Sequence, residues 1–180
     1  MSKLLHATLR APLFLQMAAM TALAQTGSAG ANWLYTSGDA GGTKYSPLAQ
    51  INASNVNQLK IAWRWKSQNF GPRPDANWEV TPIAVSGKLF FSAGTQRAAV
   101  AVDGTTGETL WTYHLDEGER GAKSPRGNNR GVAYWADRQG NGRVLLITSG
   151  YQLVALDAKL GTTIKDFGTG GVVDLWVGLL

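Results

Sequence analysis

The 180-residue sequence contains no cysteine. This excludes disulfide frameworks, thiolate-held zinc, iron–sulfur clusters and a thiol nucleophile. Histidine is almost as scarce: only His6 and His114 occur, and His6 lies in the amino-terminal run, so an all-histidine metal centre within the chain is excluded. Six prolines and 22 glycines without a triplet period exclude a collagen-like chain. Charged residues make up 16% against 44% hydrophobic, which points to a packed, turn-rich body instead of a disordered one. The net charge of +5 shrinks on inspection. Lys3 and Arg10 stand in a stretch without acids, which leaves 15 basic against 12 acidic side chains in the remainder. So small an excess builds no phosphate-tracking surface, and no nucleic-acid partner is expected. The local excess of Arg120, Lys123, Arg126, Arg130, Arg138 and Arg143 reads mostly as a solvated loop face.

One long apolar run is present, and it lies at the start. Residues 1–24 have the zones of a secretory signal peptide: Lys3 and Arg10, then Ala11 to Ala24, ending in the small-x-small pattern Ala22-Leu23-Ala24. Cleavage is expected between Ala24 and Gln25, which implies export. Pro12, Gln16 and Thr21 interrupt the run, and it is short for a membrane span, so no transmembrane segment is expected after cleavage. Residues 25–58, rich in Gly, Ser and Asn, read as an extended lead-in.

From residue 59 the pattern changes. Leu59, Ile61, Trp63 and Trp65 alternate with Lys60, Ala62, Arg64 and Lys66, the period of a strand with one apolar face. Further strands are expected over Val80–Val85, Lys88–Ala93, Ala98–Asp103, Thr109–Tyr113, Gly131–Ala136, Arg143–Ser149 and Gln152–Asp157. Ser86-Gly87, Asp103-Gly104, Asn141-Gly142 and Lys159-Leu160-Gly161 supply turns between them. The fold class is therefore all-β, a sandwich, barrel or propeller. A repeat narrows the choice. Val100-Ala101-Val102-Asp103 with Gly107 returns 54 residues later as Val154-Ala155-Leu156-Asp157 with Gly161, a spacing that suits one four-stranded propeller blade with a loop insertion.

The run Ala101-x-Asp103-x-x-Thr106-Gly107-x-x-x-Trp111 resembles the tryptophan-docking motif of eight-bladed quinoprotein propellers. The blocks Gly41 to Asn52, Asn55-Val56, Leu59 to Trp63, Glu79-Val80-Thr81-Pro82-Ile83 and Arg130-Gly131-Val132-Ala133-Tyr134-Trp135 are similar, in the same order, to the pyrroloquinoline quinone-dependent dehydrogenases of the glucose, quinate and alcohol type. The resemblance implies that residues 59–180 form the first blades, about two to three, of an eight-bladed β-propeller that is incomplete in this chain. It implies a periplasmic oxidoreductase that oxidises a sugar or alcohol hydroxyl with pyrroloquinoline quinone (PQQ) and calcium and passes electrons to a respiratory acceptor. By position in the matching blocks, Glu79 and Arg130 are the cofactor-binding candidates. A planar guanidinium suits one of the quinone's three carboxylates, whereas Glu79 beside an anionic cofactor needs a shared proton or a donor on the ring system. The family's catalytic base and calcium ligands come from later blades, so no catalytic or metal residue is expected here, and the chain alone is expected to be inactive and to hold neither group tightly.

One departure from the family is the lack of the adjacent cysteine pair found in many alcohol-oxidising members; Ser124-Pro125 lies nearby. Weaker signals have ordinary readings. Asp137 to Gly142 lacks the acids of a calcium loop and reads as a hairpin turn. Gly168-x-Gly170-Gly171 lacks the Lys-Ser/Thr of a phosphate loop, and Asp116, Glu117 and Glu119 read as loop decoration. Two other classes stand beside the dehydrogenase: a non-enzymatic propeller scaffold of the outer-membrane assembly type, with no use for Glu79 and Arg130, and a basic surface-binding module.

Overall fold

The structure, a computed structural model, describes residues 30, 32–67, 79–124 and 130–177. The expected signal peptide and its cleavage site lie outside these residues, as do Pro125 and Arg126. Two four-stranded antiparallel sheets account for all eight strands among the described residues. The first holds β1 (Ile83–Val85), β2 (Lys88–Ala93), β3 (Ala98–Asp103) and β4 (Thr109–Tyr113) in sequential order, and the second repeats this with β5 (Ala133–Ala136), β6 (Gly142–Ile147), β7 (Gln152–Asp157) and β8 (Val172–Asp174).

Each sheet follows from short alternating runs closed by tight turns. At Ser86-Gly87 both residues have positive φ, as a two-residue hairpin turn demands. Asp137 closes the β5–β6 turn by accepting bonds from the amides of Gln139 and Asn141 and from the Asn141 side chain, so this segment is the expected hairpin. These bonds to the charged form hold the Asp137 carboxyl below its usual range, led by the one from the Asn141 side chain.

Burial explains how the sheets stack. All of Ala98–Val102 in β3 is buried, so this central strand is covered on both faces. Ala99 and Ala101 join Ile83, Val85 and Phe90 in a core shared with Val144, Leu146, Val154 and Leu156 of the second sheet. Val100 and Val102 join Phe91 and Ala93 in a smaller core, against which Trp63, Trp65, Val80 and Leu89 pack. The first sheet is thus sandwiched, and the stack has the layered form of successive propeller blades, not closed into a ring among the described residues.

Four strands have the ends expected from the sequence, and the others differ for identifiable reasons. Pairing starts at Ile83 and not at Val80, because Pro82 has no N–H to give a ladder. It starts at Ala133 and not at Gly131, whose φ of 103° is incompatible with a strand. The β6 strand spans Gly142–Ile147, one residue earlier at its start than expected and two shorter at its end. Residues 59–67 belong to neither sheet, although exposure alternates between half-buried Trp63, Trp65 and Ser67 and exposed Ala62, Arg64 and Lys66. Three elements had no sequence signal: a 3-10 turn at Val56–Gln58, the strand β8, and the short helix α1 (Gly118–Lys123).

Candidate functional site

The two residues singled out by sequence come together. Glu79 precedes β1 and Arg130 precedes β5, so each stands at the start of its sheet's first strand. Face-to-face stacking makes these starts neighbours. A Cβ built on Gly131 would lie 3.4 Å from the Thr81 carbonyl oxygen and 3.5 Å from the Val80 side chain. With its positive φ, Gly131 permits a close approach of the two lead-in segments and a turn that a side chain would strain. Arg130 Nη1 and Glu79 Oε2 are 3.5 Å apart, with side-chain exposures of 80% and 44%.

At that distance and exposure the pair is an ion pair without a well-formed hydrogen bond, and it contributes little to stability. The guanidinium keeps donors facing solvent, and a planar fork of N–H groups matches a carboxylate bidentately. These residues fit an anionic, polycarboxylate cofactor at Arg130, with Glu79 available to accept from a donor on that ligand. No group of three or more His, Asp or Glu side chains that could hold a metal occurs among the described residues, so no step through calcium is derived from them.

The docking turns are built alike in both sheets. Asp103 Oδ1 accepts from the amides of Thr105 and Thr106 and from the Thr106 hydroxyl, which holds its carboxyl below the usual range, the Thr106 amide contributing most. Asp157 Oδ1 caps the next turn through the Lys159 and Leu160 amides. Trp111 lies on the second turn: its Nε1 donates to the Ala158 carbonyl at 3.2 Å, and its ring occupies the space a Cβ on Gly161 would need, 2.6 Å away. Trp63 lies on the first turn in the same way. Its Nε1 donates to the Gly104 carbonyl at 3.2 Å, and its ring comes within 2.5 Å of a Cβ on Gly107. Gly107 and Gly161 have φ of 75° and 70°.

A third cluster escaped the sequence reading, which placed Glu117 and Arg120 on a solvated loop. Glu117 instead accepts from the Thr148 hydroxyl at 2.6 Å and the Gly150 amide at 2.9 Å. Arg120 donates from Nε to the Gly150 carbonyl and from both terminal nitrogens to Asp174, at 2.6 and 2.7 Å, beneath the Trp176 ring. Arg120 and then the Trp176 amide hold the Asp174 carboxyl at about 2. These groups satisfy one another and tie the segment after β4 to the second sheet. Their partners lie 30 or more residues away, and no local pattern shows that. Gly171 is likewise a packing position, because a Cβ there would meet Thr163 at 2.5 Å, and it sits in no phosphate loop.

Stacked four-stranded sheets, joined by indoles docked on Asp-capped turns, define the β-propeller class. Over residues 33–180 the chain matches the PQQ family of glucose/ethanol/alcohol dehydrogenase β-propeller domains. The chain belongs to this family. It is 31% identical over 175 residues to quinate/shikimate dehydrogenase (quinone) from Acinetobacter baylyi, a match covering 82% of this chain and 20% of that protein. It is 34% identical over 145 residues to quinohemoprotein alcohol dehydrogenase ADH IIB from Pseudomonas putida, covering 79% and 19%. Among solved structures, the quinohemoprotein alcohol dehydrogenase ADHIIG from Pseudomonas putida superposes with a TM-score of 0.60 at 32% identity, over 79% of this chain and 19% of that one. A europium-containing methanol dehydrogenase shares the fold with a TM-score of 0.54 at 23% identity, over 72% and 22%. The chain spans about a fifth of the length of the curated relatives it matches. No helix among the described residues is long and apolar enough to cross a membrane.

Proposed function

We propose that this chain supplies the first blades of a periplasmic, PQQ-dependent dehydrogenase that oxidises a sugar or alcohol hydroxyl, and that Arg130 and Glu79 are its contribution to the cofactor site. The observation that carries this reading is their juxtaposition at the starts of β1 and β5 in a chain of this family. PQQ supplies the two-electron acceptor. Arg130 would orient it by clamping a carboxylate, and Glu79 would accept a hydrogen bond from the bound cofactor while limiting rotation of the Arg130 fork. The catalytic base, the calcium ligands and the contacts to a respiratory electron acceptor would come from further blades, and the chain alone would be inactive. Residues 1–24 would direct export.

The test is cofactor affinity in a chimera in which residues 33–180 replace the matched part of the Pseudomonas putida ADH IIB relative. Arg130→Lys keeps the charge but loses the planar two-point contact, and should weaken PQQ binding about tenfold to a hundredfold, the worth of one charge-assisted hydrogen bond. Equal affinity for parent and variant at equal thermal stability would return Arg130 to the solvated face and favour a scaffold without cofactor.

A further inference from the structure

We propose that Arg97 is a positioning residue for the candidate cofactor pair: by fastening the β2–β3 turn to the β6–β7 turn, it fixes the separation at which the two sheets hold Glu79 and Arg130. The inference rests on the cofactor reading above, because it names a residue that acts through Arg130. Strand direction carries the first step. The registers Ile83↔Phe90 and Ala93↔Ala98 bring the β2–β3 turn to the end of the first sheet at which β1 begins. Ala133↔Leu145 and Ile147↔Leu153 bring the β6–β7 turn to the end of the second sheet at which β5 begins. Glu79 and Arg130 lead into those same strand starts, whereas the Asp103 and Asp157 turns, with their docked indoles, close the opposite ends.

At that shared end a hydrogen bond crosses between the sheets. Arg97 Nη1 donates to the Thr148 carbonyl at 3.2 Å in partly buried surroundings. The acceptor is braced. Thr148 Oγ1 accepts from the Gln152 amide and donates to Glu117, which also accepts from the Gly150 amide. Arg120 donates to the Gly150 carbonyl and is itself anchored on Asp174. The donor is held at a cost. Arg97 has a φ of 53°, in the left-handed region, and closes a turn in which its own amide donates to the Gly94 carbonyl at 3.1 Å. Glycine enters that region freely and arginine does not, so the turn carries an energetic disadvantage that the side chain's reach to the other sheet offsets. Arg130 has little else to aim it. Its side chain is 80% exposed and its contact with Glu79 is 3.5 Å long, so the separation of the strand starts decides where its fork stands. A displacement of about an ångström is enough to spoil a two-point contact, at a cost of up to about a hundredfold.

The experiment titrates PQQ into the ADH IIB chimera and its variants, with thermal unfolding measured beside each titration. Arg97→Gly removes the bridge and relaxes the backbone, so PQQ affinity should fall about tenfold while the melting temperature stays within about 2 °C of the parent. Arg97→Lys should bind PQQ within about threefold of the parent, because a carbonyl needs a single N–H donor and an ammonium supplies one. The same exchange at Arg130 should weaken binding, because a clamp on a carboxylate needs the planar fork. Added to Arg130→Lys, Arg97→Gly should cost less than about threefold more, since the group it aims is already spoiled. Full affinity in Arg97→Gly would overturn the proposal. So would an Arg97→Lys protein as weak as Arg97→Gly, which would make Arg97 a direct contact, or an equal loss in both backgrounds. A parental affinity in Arg130→Lys would instead overturn the cofactor reading itself, and this proposal with it.

Discussion

Replacing Trp111 by alanine probes the device that joins the two sheets. The indole is half-buried, stands 5.9 Å from the Phe90 ring between centroids, and donates to the Ala158 carbonyl. Truncating a buried Trp costs about 3–5 kcal/mol, and partial exposure places this one near the lower end, about 3 kcal/mol. About 1 kcal/mol of that is the hydrogen bond, so Trp111→Phe, which keeps a ring and loses the donor, should cost about that much. In a chain of this length the alanine variant should melt about 6–12 °C lower. Gly161→Ala attacks the same contact from the other side. A φ of 70° costs an L-residue about 1–2 kcal/mol, and the new methyl would sit 2.6 Å from the indole, adding a clash. That clash vanishes once the indole is gone, so the double variant should be less destabilised than the sum by more than about 0.5 kcal/mol. Denaturant unfolding of the four variants measures this coupling. Strict additivity, or a harmless Gly161→Ala in the parent, would refute the packing role. So would a Trp111→Ala protein of parental stability whose only defect is in PQQ affinity.

Glu117→Ala leaves the Thr148 hydroxyl, in a residue only 3% exposed, and the Gly150 amide without their acceptor, and should cost about 1–3 kcal/mol by denaturant titration. Asp174, depressed from 3.8 to about 2, contributes stability that is complete above about pH 4 and lost as pH falls from 3.8 through 2; Asp174→Asn should flatten that part of an acid-unfolding profile, and an unchanged profile would show that the Arg120 pair is not felt in solution. The chain alone, given PQQ, calcium, an artificial electron acceptor and a panel of sugars and alcohols, should show no turnover. Turnover abolished by Arg130→Ala would show that the catalytic groups lie nearer than proposed.

Sequence made legible what is local. The strands Lys88–Ala93, Ala98–Asp103, Thr109–Tyr113 and Gln152–Asp157 are visible because alternation and turn chemistry agree within a few residues. The strand β8 is hidden because the outer strand of its sheet is split. Thr163 bridges Leu156, the Ile164 amide donates to the Ala155 carbonyl, the chain leaves the sheet, and pairing resumes at Val172 opposite Val154. No periodicity survives such an interruption. Residues 59–67 mislead in the opposite sense, since the period of a strand is present in a segment that belongs to neither sheet among the described residues. Glu79 and Arg130 were singled out through family resemblance alone, each as a candidate cofactor contact; their pairing with each other was not legible, because spacing along the chain carries no information about which strand starts become neighbours.

That juxtaposition is a product of the stack and not of either sheet. The approach of Gly131 to Thr81 goes with the stacking of Phe90 on Tyr134 and the meshing of the buried residues of β1 and β2 with those of β6 and β7. Trp111, at the opposite edge of the first sheet, holds the same interface from its other end. A loss of docking that lets the sheets slide would therefore separate Arg130 from Glu79 before either sheet unfolds, because each sheet keeps its own ladder. The order of events follows from the energies. An exposed ion pair at 3.5 Å is too weak to hold the strand starts together, whereas the buried interface is strong enough to impose the pair. In this fold the interface between blades builds the candidate site, and the side chains that face a ligand are positioned by packing that never touches it.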